Sequence, residues 1–410
     1  MTPSTTGTSE LDAPLVLDES GLGQLLQALR TDGYLLVGPR RVGQVIDYAP
    51  LEHLDELPRG IGSEQGPGHY RLTQHTGPDR AARFAYAAPA SSFKRHFFVP
   101  QLILLRTKRS ADGAGFDVLS EPRRHPKLAL IGARSCDLHA IAMQDHILGG
   151  ASEQAPADPD YVSRRLDVFV VAVNCSHPAS TCFCTSTGTG PRADAYFDVA
   201  LSELATEGGV AYVARAGSER GNELLLRLTT EPADAEQLAL EEAVLDRAAQ
   251  SIQRALPLTG LAAALQQNLE SPIWDQIAER CLSCSNCTLA CPTCFCSSVA
   301  DSSSIDGQSA ERSRRWDSCF TSDHSYVHGG SVRSKTSSRY RQWLTHKLST
   351  WREQLGEGAS VPRESADSSG CVGCGRCVTW CPAGIDITRE AARVAGLEEQ
   401  AHEVRNAERG

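Results

Sequence analysis

Two copies of one cysteine pattern constrain this chain more than anything else in it. Residues 281 to 292 read CLSCSNCTLACP and residues 371 to 382 read CVGCGRCVTWCP: Cys, two residues, Cys, two residues, Cys, three residues, Cys, Pro. Three thiolates at i, i+3 and i+6 can hold three corners of an iron-sulfur cubane from one short loop. The fourth, entering a helix, points away toward a second cluster. The spacing therefore predicts an exchange of ligands. Cys281, Cys284 and Cys287 would share one [4Fe-4S] cluster with Cys381, and Cys371, Cys374 and Cys377 would share the other with Cys291. Pro292 and Pro382 lack an N–H and set the chain direction after the fourth ligand. Zinc is the competing use of these thiols, but structural zinc sites take Cys in separated pairs. Because all eight positions are Cys, a four-iron cluster is expected at each rather than a three-iron form.

Seven further cysteines bring the total to 15 in 410 residues. Disulfides explain them poorly, since a reducing compartment keeps thiols free and an odd count leaves one over. Cys136 follows an apolar run that reads as a strand, Cys175 follows another, and Cys182 and Cys184 lie in the loop just beyond. Neighbouring parallel strands open their carboxyl ends onto one crevice, where such folds bind ligands. The loop continues STGTGP, whose small residues let backbone N–H groups approach an anion closely. Either these four thiols hold a third [4Fe-4S] cluster, or they are buried free thiols of the ordinary kind. Cys294, Cys296 and Cys319 are left open as an additional site, substitute ligands or small apolar packing.

The short apolar run 128 to 132, a helical pattern opened by Asp137 and closed by Gly149 and Gly150, and the Val-rich 166 to 174 read as strand, helix, strand. That order suggests a parallel βαβ unit. Further strands are expected near 34 to 37, 101 to 106, 196 to 204 and 210 to 214. Past Glu231 the pattern becomes that of a long helix, with Pro232 in its first turn and Leu238, Leu245 and Ile252 at intervals of seven. Strand signals then become scarce, and the Ser-rich segments 297 to 304 and 365 to 369 read as solvated loops. The fold class expected is an α/β N-terminal domain followed by an α-helical ferredoxin-like domain with two [4Fe-4S] clusters. Its divisions are a disordered lead-in over 1–14, the α/β domain with the third cysteine group over 15–230, a helical connection over 231–270, the dicluster domain over 271–395 and a tail over 396–410.

A formal charge of −10 argues against nucleic acid or an anionic membrane as the main partner, because both select for clustered Lys and Arg. No apolar stretch approaches the roughly 20 residues of a membrane helix, and the N-terminus has no basic and apolar leader regions, so a cytoplasmic protein is expected. The segments 312 to 315 and 339 to 347 are basic islands that could offset cluster charge or dock an acidic partner. No G-x-G-x-x-G stands between a strand and a helix; GIGSEQGPG at 60 to 68 has glycines without that context. His139 and His177 lie near cysteines, but a lone His is more often a structural residue than a ligand.

Taken together, GARSCDLHAI at 132 to 141, VNCSHPASTCFCTSTGTGP at 173 to 191, CLSCSNCTLACPTCFC at 281 to 296, RRWDSC at 314 to 319 and CVGCGRCVTWCPAGIDI at 371 to 387 resemble the β subunit of cytosolic sulfhydrogenases. These are NADP-linked [NiFe] hydrogenases, and the iron-sulfur A subunit of anaerobic sulfite reductase belongs to the same family. The resemblance implies a non-catalytic electron-transfer subunit. FAD and NAD(P) are then expected on a separate flavin subunit that exchanges hydride with NAD(P)H, and the [NiFe] hydrogenase small and large subunits are expected to receive or supply the electrons. It also favours a third cluster, since Cys136 and Cys175 to Cys184 lie within the matching segments. Ser135 departs from the Pro common there, which touches the turn and not a ligand. The alternatives are service to sulfite reduction through a sirohaem subunit, or a stand-alone ferredoxin-like carrier.

Overall fold

A computed structural model describes residues 13–119, 125–150, 156–351 and 369–398. The lead-in expected over 1–14 and the tail expected over 396–410 lie mostly outside the described residues, as do 365 to 368 of one Ser-rich segment.

The strands in chain order are β1 (Leu15–Leu17), β2 (Leu35–Val42), β3 (Val45–Leu51), β4 (Ile61–Gly66), β5 (His69–Gln74), β6 (Gln101–Arg109), β7 (Phe116–Leu119), β8 (Leu128–Ala133), β9 (Phe169–Val173), β10 (Val199–Thr206), β11 (Gly209–Ala216), β12 (Glu231–Pro232), β13 (Ser297–Ser303), β14 (Ser309–Trp316) and the two-residue β15 (Tyr326–Val327) and β16 (Gly330–Ser331). Eight of them form one mixed sheet in the order β12-β1-β11-β10-β9-β8-β2-β3. Its centre, β10-β9-β8-β2, is parallel, and the flanking pairs are antiparallel.

Alternation along the central strands explains why they read as unbroken apolar runs. Ala129, Ile131, Val171 and Val173 enter one core with Leu22, Leu25 and Leu29 of the helix Glu19–Thr31. Leu130, Val170 and Ala172 enter another with Leu138 and Ile141 of the helix Ser135–Leu148. Both faces are covered, as a parallel sheet requires. The strands expected from sequence all occur within a few residues of where the pattern puts them. The long helix past Glu231 spans Ala235–Ser251, with Asp234 and Gln237 closing a capping box; Pro232 stands before it in β12 rather than in its first turn.

The later third of the chain departs from expectation. Short helices are present there, at Ile273–Arg280, Thr336–Thr345 and Ile387–Ala395, and they share an apolar core with Trp274, Phe320, Trp343 and Val378. However, the Ser-rich segment from 297 is a strand, not a solvated loop: β13 pairs with β14 from Ser297 opposite Trp316 to Ser303 opposite Ala310. β14 then pairs with β6, giving a second sheet in the order β13-β14-β6-β7. Half of that sheet comes from the early α/β region and half from the cysteine-rich region. The basic island 312 to 315 lies on β14, where Arg312 grips Asp301 at 2.6 and 2.7 Å and Arg314 pairs with Asp158, so much of its charge is satisfied within the chain. Among the described residues no helix is long and apolar enough to cross a membrane.

Candidate iron-sulfur centres

All 15 cysteines are free thiols in the structure. The two repeated motifs have the same backbone course. After the first Cys, Ser283 (φ 50°) and Ser285 (φ 68°) in one motif match Gly373 (φ 61°) and Gly375 (φ 74°) in the other. Four left-handed residues at equivalent places curl each loop around its own cysteines and turn successive N–H groups inward, the arrangement that forms an anion-binding nest. A non-glycine residue there carries strain of about 1 to 2 kcal/mol, and the first motif bears it twice. The third cysteine of each motif sits on a one-turn helix, Asn286–Leu289 or Arg376–Thr379. Cys291 and Cys381 stand past the ends of these helices and lead into turns. The fourth cysteine thus does not enter a helix, contrary to expectation, because Pro292 and Pro382 redirect the chain immediately.

Cys381 lines the same recess as Cys281, Cys284 and Cys287, walled by Phe320, Tyr340 and Trp343. Burial, followed by the charges of Cys281, Cys381 and Cys284, pushes the Cys287 thiol well up from its ordinary value. In the same way burial and then Cys371, Cys374 and Cys291 raise Cys377, and burial raises Cys371 to about 12. Each fourth cysteine is therefore gathered with the other motif's first three. The two groups approach through Cys287 and Cys377: Cys377 also lines the first group's recess and feels the charge of Cys287.

The third group stands where the main sheet opens. Cys136 occupies the first turn of the helix after β8, and Cys175 lies two residues beyond β9. Cys184 feels Cys182, Cys175 and Cys374, while Cys136 feels Cys374 and Cys184. The loop is stitched to the second motif: Phe183 N donates to Gly373 O at 2.8 Å, Thr189 Oγ1 to Val372 O at 2.8 Å, and Thr181 and Thr379 hydroxyls bond at 2.9 Å. A Cβ on Gly190 would come to 3.4 Å from Cys184 Sγ, and one on Gly373 to 2.6 Å from Cys184 N, so glycine is what permits the approach. The glycine-containing hairpin β4–β5 has a comparable use. Gly68 N donates to Val378 O at 3.1 Å, and its α-carbon faces the Cys381 carbonyl.

Two buried lysines, which the cysteine pattern does not reveal, serve the centre of this array. Lys94 Nζ donates to the carbonyls of Cys291 (2.9 Å) and Cys294 (3.2 Å) and lies 4.1 Å from the Trp316 ring. Lys347 Nζ donates to Thr293 Oγ1 at 3.0 Å; burial pulls its pKa down, but Cys291, Cys294 and Cys371 outweigh that and hold it well above the ordinary lysine value. Lys347 closes the basic island at 339 to 347, whereas nothing near Lys94 in sequence marks it. Buried Arg376 ion-pairs with Asp137 at 3.0 Å, and Tyr48 donates to the same carboxylate at 2.9 Å. Of the remaining thiols, Cys294 bonds to Cys291, and Cys296 is held below the ordinary thiol range by hydrogen bonds from Cys319 and then His324.

The residues fit iron-sulfur clusters: the donors are all thiols, unpaired by disulfides, on nest-forming loops, with buried cations nearby. Because burial keeps so many of these thiols protonated in the metal-free chain, loading must release protons. Among known proteins, the 4Fe-4S dicluster domain family matches residues 280–385. Sulfhydrogenase 2 subunit beta of Pyrococcus furiosus is 30% identical over 348 residues, covering 83% of this chain and 94% of that protein. No solved structure matches.

Proposed function

The chain belongs to the sulfhydrogenase β-subunit family, and from that membership we propose that it relays electrons between a flavin subunit that handles NAD(P)H and the catalytic module of a soluble [NiFe] hydrogenase. It is an iron-sulfur electron-transfer subunit with a 4Fe-4S dicluster domain. The ligand sets we assign are Cys281, Cys284, Cys287 and Cys381; Cys371, Cys374, Cys377 and Cys291; and Cys136, Cys175, Cys182 and Cys184. Bound at these sets, [4Fe-4S] clusters supply reversible one-electron chemistry.

The observation that carries this reading is the linear order of the thiol groups. The first meets the second at Cys287 and Cys377, and the second meets the third at Cys374 and Cys184. A single storage site would not need three adjoining groups running from the helical region to the edge of the main sheet. The chain's own residues prepare the array. Lys347 places positive charge beside the second group, Lys94 donates to the carbonyls of Cys291 and Cys294 there, and the aromatic wall of Phe320, Tyr340 and Trp343 limits water at the first. Cys284 alone among the thiols is exposed, so the first group reaches the surface where a partner can exchange electrons.

Anaerobic isolation of the native protein with whatever accompanies it tests the proposal. Nickel and flavin should co-purify, with about twelve iron atoms on this chain, four per cluster. Sirohaem in place of nickel would assign the chain to sulfite reduction. Recovery as a lone monomer would refute the relay.

A further inference from the structure

Beside the third cysteine group, outside every ligand set above, three side chains from separate segments converge. His75 follows β5, Asp79 lies on the one-turn helix Gly77–Ala81, and His177 is in the loop after β9. One ligand atom of each lies within 4.8 Å of the other two. His177 Nε2 is 3.2 Å from Asp79 Oδ2, and the imidazole centroids are 5.2 Å apart.

One nitrogen of each ring is already held. His75 Nε2 lies 2.6 Å from the Ala85 carbonyl, which can only accept, so the ring proton sits there and Nδ1 keeps its lone pair. The ring is wedged in place: a Cβ added to Gly62 would meet Nε2 at 2.5 Å, and the His75 amide donates to Gly60 O at 2.8 Å. His177 Nδ1 is 2.9 Å from Ser176 Oγ. Histidines that bind metals characteristically have the second nitrogen bonded to a carbonyl or other oxygen in this way, which fixes the tautomer and aims the first. A simple His177–Asp79 ion pair accounts for two of the three residues and not for the approach of a His75 ring nitrogen to both.

We propose that His75, Asp79 and His177 bind a divalent d-block cation, zinc being the representative, at the rim of the main sheet. Two imidazoles favour such an ion over magnesium or calcium, which prefer all-oxygen sites. His177 and Asp79 are each about one-third exposed (36% and 34%), which leaves room for water to complete the coordination. The site goes beyond the relay reading and stands whatever Cys175 holds. Its consequence is local: the His177 amide donates to the Cys175 sulfur, so a bound cation would set two positive charges one loop turn from that thiol.

The test uses the iron-loaded protein, purified anaerobically, exposed to about one equivalent of zinc sulfate and desalted, beside His75→Gln and Asp79→Asn at matched iron content. The wild type should retain close to one zinc more than either variant, and each variant should bind at least about tenfold more weakly. Zinc-edge absorption should show nitrogen and oxygen neighbours with imidazole scattering. Equal zinc in wild type and variants, or a sulfur-dominated edge, would overturn the site. Loss of iron from both variants would overturn it too, since the trio would then be a brace for the cysteine loop.

Discussion

At the scale of single residues, the exchange of fourth ligands makes an asymmetric prediction. In Cys381→Ala the cluster anchored by the distant Cys281, Cys284 and Cys287 should be lost, while its sequence neighbours Cys371, Cys374 and Cys377 remain occupied. Anaerobic alkylation followed by peptide mass spectrometry reads this directly, because freed thiols are labelled and ligated ones are protected. Labelling at 371, 374 and 377 instead would mean that each motif keeps its own fourth cysteine. Lys347 offers a second test. Its ammonium lies among Cys291, Cys294 and Cys371, so Lys347→Met removes a positive charge that favours the reduced, more negative state. The neighbouring potential should fall by on the order of 60 mV, the one-electron equivalent of a tenfold change in equilibrium. Spectroelectrochemistry with an unchanged iron content would check it, and a rise in potential would contradict the assigned role. The eight motif cysteines were legible because their spacing is itself the chemistry. Lys94 was not, because its contacts lie some 200 residues away along the chain.

At the scale of elements, two loops with one backbone course meet different surroundings. Ser285 and Gly375 share a left-handed conformation, yet Ser285 is only half-buried, whereas a Cβ at Gly375 would come to 2.4 Å from the Thr181 carbonyl. Swapping the residues should therefore have unequal effects. Ser285→Gly should keep all its iron and be neutral to stabilising by up to about 1 kcal/mol, since the left-handed strain of a side chain is relieved. Gly375→Ser should lose more than the roughly 1 to 2 kcal/mol of backbone strain, because the second motif must also separate from the 181 to 189 loop. Melting temperature and iron per chain for the pair decide it; matching losses would show that backbone strain alone matters. The same contrast of local and distant forces explains what sequence revealed of the elements. β8 and β9 announce themselves through Ala129, Leu130, Ile131 and Val170, Val171, Val173, which face two buried cores. β13 does not, because Val299 and Ala300 amid five Ser and Asp residues give too little apolar signal, and the segment becomes a strand through pairing with β14.

At the scale of the whole molecule, the early α/β region and the cysteine-rich region are bound to each other rather than merely joined. β6 pairs with β14 across some 200 residues, the 181 to 189 loop bonds to the second motif, and Arg376 and Asp137, each 1% exposed, form an ion pair across the two regions. Linking them in this way keeps Cys374 next to Cys184, which a flexible tether could not do. Cooperative unfolding follows. Removing one partner of a buried pair strands the other charge at a cost of about 3 to 5 kcal/mol. Asp137 would keep its bond from Tyr48, so Arg376→Leu should fall near the lower end of that range. If the regions are one unit, the variant should lower a single calorimetric transition, with far-UV ellipticity and iron-sulfur absorbance lost together in anaerobic heating. If they are independent, the damage will be confined to the absorbance and a separate, unshifted transition will remain for the α/β sheet. The first outcome is expected, because any cut between the two regions splits the second sheet and severs the 181 to 189 loop from the second motif.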